Sequence, residues 1–136
     1  MYLLDTCICI DFLRGRKGLF YQKMHEGKPE DFQLPAIAAA ELWYGAEHSS
    51  DPARETGIVE EFISAFAIAP FDGPCAREYC RIRQLLGTKG ELIGDRDMMI
   101  AATVLACGGT LVTTNVREFA RIPNLPVESW TETTLP

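Results

Sequence analysis

Short apolar runs alternate with longer helical patterns along almost the whole chain, and this alternation restricts the fold more than any other feature. The runs predicted as strands are residues 2–4, 32–34, 67–70, 110–113 and 126–128. The stretches predicted as helices are residues 7–13, 19–25, 36–47, 52–66, 75–86 and 95–107, with a loop at 87–90. Strands that alternate with helices favour a parallel sheet covered by helices on both faces. We therefore expect an α/β fold.

The length and composition favour one ordinary globular domain. A chain of 136 residues suits a single core, so we expect one domain over residues 1–136. Apolar residues make up 47% and charged residues 24%, which is typical of soluble globular proteins. No apolar run approaches the ~20 residues that cross a bilayer, and the N-terminus has no signal-peptide pattern. We therefore expect a cytoplasmic protein with no membrane partner.

The cysteine, histidine and charge content narrows the possible partners. Five cysteines without a secretory signal favour free thiols in a reducing compartment. No Cys-x-x-Cys pair is present and there are only two histidines, so a structural zinc site is not expected. The net charge of −6 counts against a nucleic-acid binder, unless carboxylates gathered around metal ions account for it.

Four acidic or amide side chains lie where predicted strands end or on the helices that follow. Asp5 comes directly after the first strand, and Asn115 follows the strand at 110–113. Glu41 and Asp97 lie on predicted helices, and helices that follow parallel strands begin at the same edge of the sheet. We therefore expect the four side chains to meet in a crevice, where several carboxylates require a cation.

Two of these positions have a purely structural alternative that the sequence leaves open. Asp5 could cap the helix that follows it, although Thr6 could provide that cap and leave Asp5 free. Glu41 interrupts a run of alanines. It is either a carboxylate directed into a cleft or an exposed helix residue.

The later positions carry similar alternatives. Asp95 opens a helix after Gly94 and is most simply its N-cap, whereas Asp97 lies in the first turn beside an apolar surface. That position favours Asp97 over Asp95 as a ligand. Asn115 could coordinate a cation through its carbonyl oxygen or through water, or it could be a turn residue. Glu118 either supports the site or faces solvent.

The donor atoms of this set indicate a type of chemistry. Carboxylate and amide oxygens, with no Cys or His ligand expected in reach, favour Mg²⁺ or Mn²⁺. Such an ion neutralises a phosphate, lowers the pKa of a water molecule and stabilises the leaving oxygen. The pattern therefore predicts hydrolysis of a phosphodiester.

Four motifs follow one another along the chain: LDT at 4–6, ELWYGA at 41–46, IGDRDMMIAA at 93–102 and LVTTNVREF at 111–119. Together they resemble the motifs of PIN-domain toxins, and more narrowly of the VapC ribonucleases of bacterial toxin–antitoxin pairs. The resemblance covers the whole chain in the family's order and spacing. It implies a three-layer α/β/α PIN-like domain whose central, mainly parallel sheet has four to five short strands.

The resemblance also implies a role for each site residue. Asp5 would be the first metal ligand, Glu41 the second acidic residue and Asp97 the third. Mg²⁺ or Mn²⁺ would be held most directly by Asp5 and Asp97. Asn115 occupies the fourth position, where the family has Asp or Asn.

The implied activity is that of a metal-dependent endoribonuclease. A metal-activated water would cut RNA and leave a 3′ hydroxyl and a 5′ phosphate. The implied partners are a second copy of the chain and a VapB-type antitoxin whose tail occludes the active groove.

The chain departs from the family pattern in two places. Cys7 stands where the family often has Asn, which puts a supporting hydrogen bond near the metal in doubt. Ala38–Ala40 replace a Ser or Thr often found before the glutamate. Thr113 or Thr114 would still line the pocket.

Two other functions are considered beside this one. A phosphatase-like α/β enzyme using Asp5 as its nucleophile would require a second Asp at position 7, where Cys7 stands. A catalytically inactive module would retain the carboxylates only for structure or for binding an antitoxin or RNA, with Trp43 and Tyr44 in a groove for a partner helix.

Overall fold

The computed structural model describes residues 1–16 and 18–130, and its core is a parallel sheet. The strands are β1 (Tyr2–Leu4), β2 (Phe32–Pro35), β3 (Ala67–Ala69), β4 (Thr110–Val112) and β5 (Val127–Glu128). Their order in the sheet is β3-β2-β1-β4-β5, and each neighbouring pair is parallel. The predicted α/β class and the predicted parallel sheet are confirmed.

Helices flank the sheet. They are α1 (Thr6–Leu13), α2 (Leu19–Glu26), α3 (Ala36–Glu47), α4 (Pro52–Ser64), α5 (Gly73–Lys89), α6 (Asp95–Cys107) and α7 (Val116–Phe119), with a 3₁₀ turn at Pro29–Asp31. Within the described ranges, no helix is long and apolar enough to cross a membrane.

The centre of the sheet is apolar on both faces. Leu3, Leu4, Leu34, Leu111 and Val112 are completely buried. Such continuous apolar strands are typical of parallel sheets with helices on both faces.

The order of the strands places the start of a crevice beside β1. The chain leaves β1 towards β2 on one side, while β4 pairs with β1 on the other side. Leu4 lies opposite Val112, and the backbone N–H of Asp5 donates to the Val112 carbonyl at 2.9 Å. The residues that follow β1 and β4 therefore lie together at one edge, as expected where the strand order reverses.

The largest differences from the predicted helices are the longer α5 and the additional α7. The expected loop at 87–90 is wrong, because α5 continues through Gly87 to Lys89. The helix ends at Gly90, whose φ of 68° is the left-handed conformation that favours glycine. Residues 116–119, which were not predicted as helical, form α7.

Candidate active site

Asp5 is buried at the end of β1, with 4% of its surface exposed, and both of its carboxylate oxygens are engaged. Oδ1 accepts a hydrogen bond from the backbone N–H of Thr6 at 2.9 Å. Asp5 is thus the N-cap of α1, and it is Asp5, of the two candidates that the sequence left open, that provides this cap. Oδ2 accepts from the hydroxyl of Thr113 at 2.7 Å and from the thiol of Cys7 at 3.0 Å.

Cys7 and Thr113 join the ends of β1 and β4 into one network. The Sγ atom of Cys7 accepts from the backbone N–H of Thr114 at 3.3 Å, and the hydroxyl of Thr113 accepts from the N–H of Asn115 at 2.9 Å. Burial, followed by the charge of Asp5, raises the pKa of the Cys7 thiol. The thiol therefore keeps its proton and supplies the hydrogen bond that the loss of the family's Asn had put in doubt.

Asp97 lies half-buried in the first turn of α6 and faces several acidic groups. Its pKa is raised to about 6, first by burial and then by the negative charges of Asp5, Glu41 and Glu118. The guanidinium of Arg96 acts in the opposite direction. Four acidic residues from four parts of the chain therefore share one electrostatic environment, and Glu118 belongs to it.

Glu41 is held from both sides, so it is not simply an exposed residue of α3. Its Oε1 accepts from the Thr6 hydroxyl at 2.8 Å, and its Oε2 lies 3.3 Å from the Nε of Arg96. One quarter of the side chain is exposed. The bond to Glu41 also explains why the Thr6 hydroxyl does not cap α1.

Asn115 is placed at the crevice by its backbone. It is the N-cap residue of α7, but its side chain makes no capping hydrogen bond. Its carboxamide is therefore not used by the turn, which was the structural alternative for this residue. The structure brings its backbone beside Thr113 and so beside Asp5.

Asp95 does not have its predicted role as the N-cap of α6. The N-cap of α6 is Gly94, which has extended dihedral angles and no side chain to make a capping bond. Asp95 is the first helical residue, and its Oδ1 accepts from the hydroxyl of Tyr79 on α5 at 3.2 Å. Asp95 is therefore tied to α5, while Asp97 faces the other carboxylates.

The same residues can be tested for their fit to a divalent cation. The donors are oxygens, and burial, followed by the charges of Asp5, Glu41 and Glu118, raises the pKa of Asp97 and so disfavours its ionised form without a cation. In residues 1–16 and 18–130, no three His, Cys, Asp or Glu side chains are arranged to hold an ion directly. A site with few direct carboxylates fits Mg²⁺, which keeps several waters and binds one or two carboxylates.

Two open spaces border the site. A cleft of about 380 Å³ is lined by Glu41 and residues 94–97. A larger groove of about 490 Å³ also begins at Glu41 and runs between α1, α3 and α4, where it is lined by both apolar residues and arginines. Trp43, expected beside Tyr44 in a groove, instead packs against the core, and only Tyr44 is strongly exposed.

Comparison with known proteins places these motifs in one family. The PIN domain family matches residues 2–125. The chain is 34% identical over 131 residues to ribonuclease VapC2 of Rickettsia felis, covering 96% of this chain and 98% of that protein. It is also 34% identical over 129 residues to the tRNA(fMet)-specific endonuclease VapC of Salmonella typhimurium, covering 95% and 97%.

Solved structures give the same result. The chain superposes on VapBC2 of Rickettsia felis, bound to a DNA fragment from its promoter, with a TM-score of 0.89 and 34% identity over 95% of this chain and 98% of that one. The DNA-bound VapBC of Salmonella typhimurium gives a TM-score of 0.90 and 34% identity over 95% and 97%. FitAcB of Neisseria gonorrhoeae gives 0.82 and 30% over 93% and 96%.

Proposed function

This chain belongs to the PIN-domain family and, within it, to the VapC ribonucleases, and from that premise we propose that it is the toxin of a type II toxin–antitoxin pair. It hydrolyses RNA phosphodiester bonds with the help of Mg²⁺, for which Mn²⁺ may be substituted in experiments. The observation that carries the proposal is the convergence of carboxylates at one edge of the sheet: Thr6 donates its N–H to Asp5 and its hydroxyl to Glu41. Asp97 lies near enough that, after burial, the charges of Asp5 and Glu41 raise its pKa.

Asp5 and Asp97 are proposed to hold the cation directly. Thr6, Cys7 and Thr113 fix both oxygens of Asp5, so its orientation is set before a cation binds. When bound, the cation neutralises the scissile phosphate and lowers the pKa of the attacking water.

The other residues position groups around this centre. Glu41 accepts a hydrogen bond from Thr6 on one oxygen, forms an ion pair with Arg96 through the other, and is proposed to orient the water or its ligands. Asn115, whose backbone lies beside Thr113, is proposed to provide a neutral amide at this site. We assign no protein general base, because His25 and His48 are exposed and each bonds the backbone carbonyl four residues earlier.

The experiment is cleavage of total bacterial RNA by the purified chain in Mg²⁺, with the 5′ ends of the fragments sequenced. The expected result is discrete cleavage positions that carry 5′ phosphates, are lost with EDTA and are absent with Asp5→Asn. Cleavage that persists in EDTA, or that Asp5→Asn retains in full, would contradict the proposed mechanism. The same experiment defines the RNA positions that are cut.

We also propose that the partners are a second copy of the chain and a VapB-type antitoxin. The groove of about 490 Å³ begins at Glu41 and combines apolar walls with Arg14, Arg54 and Glu55, which suits an amphipathic segment that carries both apolar and charged groups. Residues 1–136 are proposed to act as one cytoplasmic domain, although residues 131–136 lie outside the described part. Co-expression with a VapB-type antitoxin should give a stable complex that no longer cuts RNA. Free cleavage in that complex would contradict this assignment.

A further inference from the structure

Gly45 occupies a position in α3 that the rest of the chain does not require to be glycine. It lies within the helix, which runs from Ala36 to Glu47. A Cβ atom built on Gly45 would meet no atom within 4 Å. Glycine in a helix interior is destabilising relative to alanine. Packing within the described chain therefore does not require glycine here, and this part of the α3 surface is open.

A second cleft, distinct from the one lined by residues 94–97, lies on this face. It has a volume of about 410 Å³, and its lining residues are Ile37, Ala40, Glu41, Tyr44, Gly45 and Arg96. Small and apolar residues form much of this surface. Tyr44 is 64% exposed, and its ring stacks on His48 at 4.0 Å with an angle of 24° between the planes. The stack presents a supported aromatic face beside the cleft.

Arg96 connects this second cleft to the candidate active site. Arg96 and Glu41 line both clefts, and the Nε of Arg96 lies 3.3 Å from Oε2 of Glu41. The Arg96 side chain is 74% exposed, so its guanidinium can reach a ligand. Among the described residues that line these two clefts, it carries the only positive charge.

We propose that this second cleft, the Tyr44 cleft, is a subsite for one unpaired nucleobase of the RNA, next to the phosphodiester that is cut. The base stacks on Tyr44 above the space left by Gly45, and Arg96 contacts the phosphate that links the base to the active site. An aromatic face with an adjacent arginine is the chemistry that binds unpaired bases. The continuity with the carboxylate site through Glu41 and Arg96 favours RNA as the occupant over an unrelated ligand. This inference rests on the proposed ribonuclease function.

The test combines a protein variant with an RNA variant. The RNA is a short synthetic oligoribonucleotide that spans a mapped cleavage position, either intact or with an abasic nucleotide on one side of the cut bond. Each side is tested in turn. Binding is measured in the Asp5→Asn background, where the RNA stays intact, with and without Tyr44→Ala.

We expect the effects of Tyr44→Ala and of the abasic nucleotide on RNA binding to depend on each other. Tyr44→Ala and one of the abasic substitutions should each weaken binding by roughly 5- to 150-fold, the range that stacking of one base on an aromatic residue contributes. The two changes together should weaken binding no more than either alone. Gly45→Gln, which fills the open space with a good helix former, should weaken binding of the intact RNA and leave the abasic RNA unaffected.

Tyr21→Ala is the matched control. The ring of Tyr21 lies 4.1 Å from that of His25 at an angle of 35°, with the same four-residue spacing as Tyr44 and His48. Its loss should leave RNA binding unchanged.

Three outcomes would overturn the subsite. The first is no loss of RNA binding with Tyr44→Ala, and the second is a pair of losses, from Tyr44→Ala and from the abasic nucleotide, that multiply when combined. The third is a change of oligomeric state in Tyr44→Ala that does not depend on the base, because this face would then be a contact between two copies of the chain. Absence of RNA cleavage by the wild-type chain would instead contradict the proposed function itself, so the two failures are distinguishable.

Discussion

Asp5 and Glu41 belong to the same acidic site but are held by very different surroundings. Asp5 is buried, and its oxygens accept three hydrogen bonds from Thr6, Cys7 and Thr113, which lie beside the ends of β1 and β4. Glu41 is partly exposed on α3, and one of its two partners is Arg96, whose own side chain is largely in solvent. One side of the site is therefore built into the sheet edge, and the other lies on helix surfaces.

This difference separates two kinds of contact in the site. The hydrogen bonds around Asp5 form whenever the sheet forms, so they fix a ligand before any cation or RNA arrives. The ion pair of Glu41 and Arg96 is solvated and can exchange partners at little cost. We therefore expect substitutions at the sheet edge to have large effects on activity, and substitutions of the exposed pair to have small effects on stability.

The largest effect is expected for Asp5→Asn. It should lower the rate of Mg²⁺-dependent RNA cleavage by more than about 100-fold, beyond the 10- to 100-fold typical of residues that only support a ligand. Asn caps helices as well as Asp does, so the thermal midpoint should stay close to that of the wild type. Asp11→Asn, which changes an acidic residue of α1 paired with Arg16, is the control and should retain activity. If Asp5→Asn does not fold, Asp5→Glu takes its place in the same comparison of activity.

The next largest effect is expected for Thr113→Val. The change keeps the shape of the side chain but removes the donor to Asp5 and the acceptor of the Asn115 N–H. It should cost about 1–3 kcal/mol of unfolding free energy and about 10- to 100-fold in activity. Thr110→Val on the same strand is the control. Cys7→Ala should have a smaller effect because a thiol is a weak donor, and equal effects of the two changes would contradict this ranking.

The structure also shows which parts of the site could be predicted from the sequence alone. Strand ends and helix starts were enough to place Asp5 and Asn115 at one edge, because that placement follows from the direction of the chain. Asp97 was harder to place, since α6 follows α5 and not a strand. The cap of α1 was left open between Asp5 and Thr6, because the sequence does not show that the Thr6 hydroxyl bonds Glu41, 35 residues away. The same limit applies to Asp95, whose partner Tyr79 lies on another helix.

A smaller effect, on stability and its pH dependence, is expected at Asp97. Its pKa is raised from 3.8 to about 6 in the folded chain, so between these values the folded state keeps a proton that the unfolded chain releases. Stability of the metal-free protein therefore falls as pH rises through this window and stays lowered above about 6. Asp97→Asn should raise the Tm in EDTA at pH 7.5, and the difference should shrink towards pH 4.

Addition of Mg²⁺ should make the Tm of the wild type higher than that of Asp97→Asn. A cation that binds the folded state raises the Tm of the wild type by mass action, and Asp97→Asn should gain little. If the two proteins respond equally to Mg²⁺, Asp97 does not hold the cation.

The smallest expected effect is the loss of stability when the exposed pair of Glu41 and Arg96 is broken. Arg96→Ala should alter the unfolding free energy by less than about 1 kcal/mol, as is typical of solvated ion pairs. Arg81→Ala is closely matched, since Arg81 also lies 3.3 Å from a glutamate and is 72% exposed. Denaturant unfolding of the two variants should give similar values. A much larger loss for Arg96→Ala would show that Glu41 is held as firmly as Asp5.

The central claim is that the sheet-edge carboxylate and Asp97 together hold a divalent cation, and direct titration with Mn²⁺ tests it. Calorimetry on the metal-free protein should show binding to the wild type, loss of that binding in Asp5→Asn and Asp97→Asn, and only weaker binding in Glu41→Gln. Undiminished Mn²⁺ binding by a folded Asp5→Asn variant, or no binding by the wild type, would contradict the account.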